Sequence, residues 1–176
     1  MSEYLKFFKG DVTAGKKNGV DISSGDLQNP IAFDLNLTAE QTGYVKLAVR
    51  CDNGFAVDGD VEIEVKYKTV DNSDAAKAMV GRYMLAVDEG YDDQTVSGAT
   101  FTNRISISGL EDSNKLFWLR CTSSKDEAPS VDKNCVLHAE AMIKAKAEAA
   151  ESVAPATDAP ADSGKSSDKP AEPAKA

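Results

Sequence analysis

The sequence reads LAVRC at residues 47–51 and FWLRC at residues 117–121. Each stretch has three apolar residues, an arginine and a cysteine, and each is followed by a polar loop and then by an alternating segment, at residues 61–68 and 135–145. Alternation of apolar and polar residues at every second position is typical of a strand with one face buried and one face in water. The two stretches therefore indicate an all-β body in which they form core strands.

The same alternation predicts about eight strands in the chain. They are residues 4–8, 31–37, 45–51, 61–68, 83–87, 101–107, 117–121 and 135–143. Turn signals such as Asn53-Gly54 and Asp58-Gly59 separate them. This spacing is typical of an antiparallel β-sandwich of the Ig-like, Greek-key or jelly-roll type. One short helix is predicted at residues 73–80, with Ser73 as its N-cap.

The chain divides into two regions of different composition. Residues 1–147 contain the strand patterns, and we expect them to form one β-sandwich domain. Residues 148–176 contain no aromatic residue and no Leu, Ile or Met, but are rich in Ala, Pro, Ser and charged residues. Such a segment buries too little apolar surface to offset the entropy lost on ordering. We therefore expect a disordered tail.

Charge narrows the range of partners. The net charge of the 176 residues is −9 at pH 7, and binding to nucleic acid or to an anionic membrane requires a basic surface. We therefore expect neither as a partner. The first residues, MSEYLK, lack the basic and apolar regions of a secretion signal. The sequence thus predicts assembly in a host cytoplasm.

Three cysteines, Cys51, Cys121 and Cys135, are widely spaced and form no C-x-x-C pair. We interpret them as small apolar core residues. A disulfide between Cys51 and Cys121 is the alternative if their similar strands are neighbours, although a reducing compartment argues against it.

Catalytic chemistry has little support in the sequence. Activation of a Ser or Cys nucleophile requires a nearby base, and the single histidine, His138, has the outward phase of its strand. The sequence also lacks a glycine-rich nucleotide-binding motif. We therefore expect a protein that is not an enzyme and that needs no cofactor.

The best metal candidate is an acidic run containing Asp88, Asp92 and Asp93. Calcium requires six to eight oxygen ligands, and acidic loops of β-sandwiches can supply them. The run does not match the spacing of an EF-hand loop. A plain acidic loop without a metal is therefore the favoured interpretation, and calcium is the alternative.

Trp118 is the strongest candidate for a contact residue. If Phe117 and Leu119 face the core, Trp118 points to the opposite face together with Leu116. A loop could cover it there, or it could anchor a protein–protein contact, since tryptophan is enriched at interface hot spots. The long polar loop at residues 16–30, which ends in Asn29 and Pro30, is a further interface candidate.

In its layout the chain resembles small virion structural proteins of tailed bacteriophages, in particular capsid decoration and head-fibre base proteins. The resemblance spans Tyr4 to about Lys144. Three features carry it: the opening YLKFFKGD at residues 4–11 with its polar loop, the compact β-body, and Leu116–Thr122 before a long loop and a final strand. It implies repeated copies that reinforce a capsid lattice, and it assigns no site residues.

These observations together predict a non-enzymatic virion structural protein that binds capsid or other virion proteins and is open to homo-oligomer formation. The alternative is a surface adhesion or carbohydrate-binding β-sandwich module, with or without structural calcium.

Overall fold

The computed structural model describes residues 4–23, 41–68, 73–123, 125 and 134–146. Ten strands, one α-helix and one short 3-10 helix (Val96–Gly98) lie in this part of the chain. The strands are β1 (Leu5–Lys9), β2 (Val20–Asp21), β3 (Thr42–Cys51), β4 (Phe55–Val57), β5 (Asp60–Tyr67), β6 (Tyr83–Val87), β7 (Arg104–Ser108), β8 (Lys115–Thr122), β9 (Cys135–Glu140) and β10 (Ile143–Ala145). The helix, α1, is Asp74–Val80.

The strands form two main antiparallel sheets. The larger sheet has the order β2-β1-β3-β8-β6, the smaller has the order β7-β5-β9, and β4 pairs with β10 in a short ladder. Their inner faces share one hydrophobic core, to which the larger sheet contributes Leu47 and Phe117 and the smaller contributes Ile63. The predicted all-β sandwich is confirmed.

The two similar stretches lie side by side at the centre of the larger sheet. Leu47 pairs with Phe117, and Val45 pairs with Leu119, in an antiparallel ladder. Leu47, Phe117 and Leu119 are buried in the core, as their phase predicted. Helix α1 also matches the prediction, because the Ser73 side chain accepts a hydrogen bond from the Ala76 N–H and thereby caps the first turn.

The predicted last strand is in fact two strands that belong to different sheets. β9 pairs with β5, whereas β10 pairs with β4. The chain changes partners at Ala141 and Met142, between the two ladders. The alternation alone did not show the break, because the apolar residues keep one phase across it.

The antiparallel pairing of β3 with β8 excludes a disulfide between Cys51 and Cys121. Cys121 pairs with Gly43, and Cys51 lies eight residues further along β3, which is about 27 Å at the usual rise per residue. A disulfide requires Cα atoms within about 7 Å. None of the three cysteines, all in the described part of the chain, forms a disulfide; Cys51 and Cys121 are buried and Cys135 is half-buried.

We predict that the thiols will react with a labelling reagent in the order of their exposure. Burial raises the pKa of the Cys51 thiol to about 11, and the nearby carboxylates of Asp112 and Asp52 act in the same direction. Cys135 is expected to react first at pH 8, and Cys51 only on unfolding, as mass spectrometry of labelled peptides would show. Early labelling of Cys51 would contradict the burial.

The raised pKa of Cys51 also makes the stability of the fold depend on pH, and this stability falls as the pH rises. The folded chain favours the neutral thiol, so this contribution is complete below the ordinary pKa of 9.0 and is lost as the pH rises toward about 11.

Several predicted features lie outside the described residues: the strand at residues 31–37, the interface candidates Asn29 and Pro30, and the tail at residues 148–176. None of the helical residues in the described part forms a segment long and apolar enough to cross a membrane.

Candidate functional site

Trp118 is buried, which corrects its interpretation as an exposed contact residue. It does point away from the main core, but it is only 1% exposed. A loop between β6 and β7 covers it, and its ring packs in a second hydrophobic cluster with Ala86 and Val96. The indole Nε1 donates a hydrogen bond to Asp88 Oδ1 at 3.1 Å. The side chain is therefore a structural anchor for the loop and is not available to a partner.

Leu116, the neighbouring interface candidate, is half-buried. Its backbone carbonyl accepts a hydrogen bond from the Asp88 N–H at 3.3 Å. The start of the covering loop is thus held at both Leu116 and Trp118.

The acidic loop uses its carboxylates internally. Asp88 accepts hydrogen bonds from the N–H groups of Gly90 and Tyr91 as well as from Trp118, and Lys46 Nζ lies 3.3 Å from its other oxygen. Asp92 accepts from the Thr95 hydroxyl at 2.8 Å and from the Thr95 N–H at 2.9 Å. Hydrogen bonds from Thr95 hold the pKa of Asp92 below its usual value. Asp93 is exposed.

We therefore predict that calcium has no effect on stability. Asp88 Oδ1 and Asp92 Oδ1 already accept protein hydrogen bonds, and Asp88 Oδ2 faces the Lys46 ammonium. An ion bound to these oxygens would compete with those contacts. The melting temperature is expected to be the same in EDTA and in millimolar Ca²⁺. A clear upward shift with Ca²⁺ would contradict this, because an ion that binds only the folded state must stabilise it.

A second cluster of charged residues lies on the outer face of the smaller sheet. Within the described part of the chain, one group of three metal-type ligands has its atoms within 4.8 Å of one another: Glu64, His138 and Glu140. The Lys66 ammonium already lies among them, 2.8 Å from Glu64 and 3.1 Å from Glu140. Arg104 adds a second cation 3.0 Å from Glu64.

The electrostatics of this cluster favour ion pairing. Burial by itself would raise the pKa of Glu64, but the hydrogen bonds from Lys66 and Arg104 outweigh it and lower the pKa. A divalent cation would have to displace Lys66 and remain beside Arg104. We therefore interpret the cluster as an ion-pair network that covers the outer face of β5.

The two sheets are joined along one side of the sandwich. Leu85 in β6 and Thr102, just before β7, exchange two backbone hydrogen bonds of 2.7 and 2.8 Å. This bridge closes the gap between the edge strands β6 and β7.

On the opposite side, Leu5 of β1 lies beside Ala139 of β9, and within the described residues no strand bridges the two sheets there. We call this side the open seam. Strand β2 pairs with β1 at Phe8 and Lys9, and Ile22 and Ser23 add hydrogen bonds to the Phe7 backbone. No described strand pairs with the outer edge of β9. An exposed strand edge presents backbone donors and acceptors to any chain that approaches.

The phase of the β5–β9 ladder identifies which backbone groups face the open seam. The Lys68 N–H donates to the Asn134 carbonyl, and hydrogen-bonded pairs alternate with non-hydrogen-bonded pairs in antiparallel ladders. Val136 and His138 therefore direct their backbone groups toward β5. Leu137 and Ala139 direct theirs away from it, toward the open seam.

An apolar groove of about 220 Å³ lies beside this edge. It is lined by Leu5, Ala139, Glu140, Ala141 and Ile143. Among the described residues, Tyr4 at 40% and Met142 at 70% exposure are large apolar side chains that are sequence neighbours of the lining residues. An apolar groove beside an unpaired strand edge is a candidate interaction surface.

The open seam was not among the sequence-predicted sites. Its lining comes from residues 5 and 139–143, which are far apart in the chain. The available signal was Met142, a large apolar residue at the outward phase between Ala141 and Ile143. Comparisons of the chain with protein families, curated proteins and solved structures found no match.

Proposed function

We propose that the chain is a non-enzymatic virion structural protein that decorates or stabilises a phage capsid through protein–protein contacts. The observation that carries this proposal is the open seam: a strand edge with outward backbone groups at Leu137 and Ala139, next to an apolar groove. Such an edge is a common site of protein recognition, because main-chain hydrogen bonds give affinity and adjacent pockets give specificity.

The rest of the sandwich suits a structural role. The second hydrophobic cluster, around Trp118, packs on the outer face of the larger sheet. Ion pairs cover the outer face of the smaller sheet. The open seam therefore belongs to a domain in which internal contacts cover the described outer faces of both sheets. A rigid contact surface loses little conformational entropy on binding, which suits a protein bound in many copies to a lattice.

The proposal is tested by following a tagged full-length chain in lysates of the cells that produce it. Assembled particles are separated from free protein on a density gradient, and the particle fraction is imaged by electron cryomicroscopy. We expect the chain in the particle fraction, at regularly repeated lattice positions. A chain found only as free protein, or one retained on a glycan array, would overturn the proposal in favour of the adhesion module.

A further inference from the structure

We propose that the open seam binds an extended segment of a partner protein, which adds to β9 as a strand and alternates apolar residues with lysine or arginine. This inference rests on the proposed function and states the chemistry of the partner. The backbone of β9, the groove and the charges on the outer face each determine one property of the partner segment.

The backbone sets the position of the added strand. The N–H and C=O groups of Leu137 and Ala139 point away from β5, so a new strand can exchange hydrogen bonds with both residues. Strand addition uses the edge that β5 leaves free, and the smaller sheet then becomes four-stranded.

The groove sets which residues of that strand are apolar. A partner residue opposite Ala139 directs its side chain to the same side of the sheet as Ala139. On that side the groove is lined by Leu5 and Ile143. Met142, between the lining residues Ala141 and Ile143, is 70% exposed, and any of its apolar surface that the partner covers would add to the affinity.

The charges on the outer face determine which residues of the added strand alternate with its apolar ones. A partner residue opposite Glu140 points to the outer face, where Glu140 is already directly opposite Glu62. Like charges in directly opposed positions destabilise a sheet. Lys66 pairs with Glu64 and Glu140, and Glu140 remains 62% exposed. A cation on the partner would therefore relieve this repulsion.

The same charges argue against a second copy as the occupant. Each chain has a net charge of −9, so pairing β9 with another β9 would bring two net-acidic chains together. Repulsion between like-charged surfaces disfavours that association.

The test uses the full-length chain and two synthetic peptides of about twelve residues, a length that covers one strand. One peptide alternates lysine with valine and the other alternates glutamate with valine. Fluorescence anisotropy measures binding of each peptide. We expect the lysine peptide to bind at least about ten-fold more tightly than the glutamate peptide, and we expect added salt to weaken it.

Two variants test the site itself. Ala139→Pro removes an outward N–H without removing a bond to β5, and we expect about ten-fold weaker binding. Its control is Ser106→Pro, because the β5–β7 ladder leaves the Ser106 N–H outward on the opposite edge strand.

The second variant tests the charge. Glu140→Lys is expected to weaken binding of the lysine peptide by about ten-fold. Its control is Asp93→Lys, which makes the same charge change at an exposed residue of the acidic loop.

The outcomes separate this inference from the proposed function. Equal binding of both peptides, or unchanged binding by Ala139→Pro and Glu140→Lys, would overturn the inference even if the chain still migrates with particles. Light scattering that finds a dimer of the wild-type chain, dissociated by Ala139→Pro, would overturn it in favour of a second copy. Tight lysine-peptide binding that depends on Glu140, in a chain that never joins particles, would support the inference and overturn the capsid proposal.

Discussion

Substitution of Trp118 by alanine is expected to destabilise the fold by about 3–5 kcal/mol, the usual cost of removing a fully buried aromatic side chain. The indole is 1% exposed and packs with Ala86 and Val96 beneath the loop that joins β6 to β7. Its removal also takes a donor from Asp88, whose side chain is 7% exposed, and a buried carboxylate that loses a hydrogen bond adds to the cost. Lys46 would lose the ring that lies 4.7 Å below its ammonium.

Denaturant unfolding of the purified variant would measure this loss, and the melting temperature is expected to fall by about 10 °C. Trp118→Phe is the matched control, because it keeps most of the apolar contact while it removes the N–H donor and a small part of the ring. We expect it to cost about 1–2 kcal/mol. A loss below about 1 kcal/mol for Trp118→Ala would be typical of a surface position and would contradict the burial of the indole.

The second large effect is expected at Ile63, at the centre of the smaller sheet. Its side chain is fully buried, and it pairs with Ile105 on one side and Ala139 on the other. Ile63→Ala removes apolar contacts and leaves a cavity between the sheets. We expect a loss of about 2–5 kcal/mol in the free energy of unfolding.

Glu62→Ala is the control for Ile63→Ala, since the two residues are neighbours on β5 with opposite phase. Glu62 faces outward, directly across from Glu140, so its removal is expected to change stability by at most about 0.5 kcal/mol. Chemical denaturation of both variants under one set of conditions gives the ranking. A larger loss for Glu62→Ala would mean that the register of β5 is shifted by one residue.

The candidate sites were predicted less well than the fold. The sequence placed Trp118 and Asp88 in two separate candidate sites, a contact surface and a metal loop. In the structure they form one hydrogen bond, and that bond helps to close the loop over the indole. Both residues therefore have their roles in stability, and we propose the open seam as the contact surface in place of Trp118.

Local alternation by itself determined which side chains of a strand face the core. Val61, Ile63 and Val65 are buried between outward residues of β5, because successive side chains in a strand point to opposite faces whatever the strand pairs with. The same rule gave Trp118 its outward phase. Composition likewise distinguished the apolar body from the acidic, proline-rich tail.

Only the tertiary structure decided what lies next to those faces and edges. The antiparallel direction of β3 and β8 separates Cys51 from Cys121 although their strands are neighbours. The loop that covers Trp118 comes from an earlier part of the chain. The position of β9 at the edge of the described smaller sheet follows from the strand order β7-β5-β9. These features depend on contacts between distant residues, and a pattern that repeats every two residues does not specify which distant strands become neighbours.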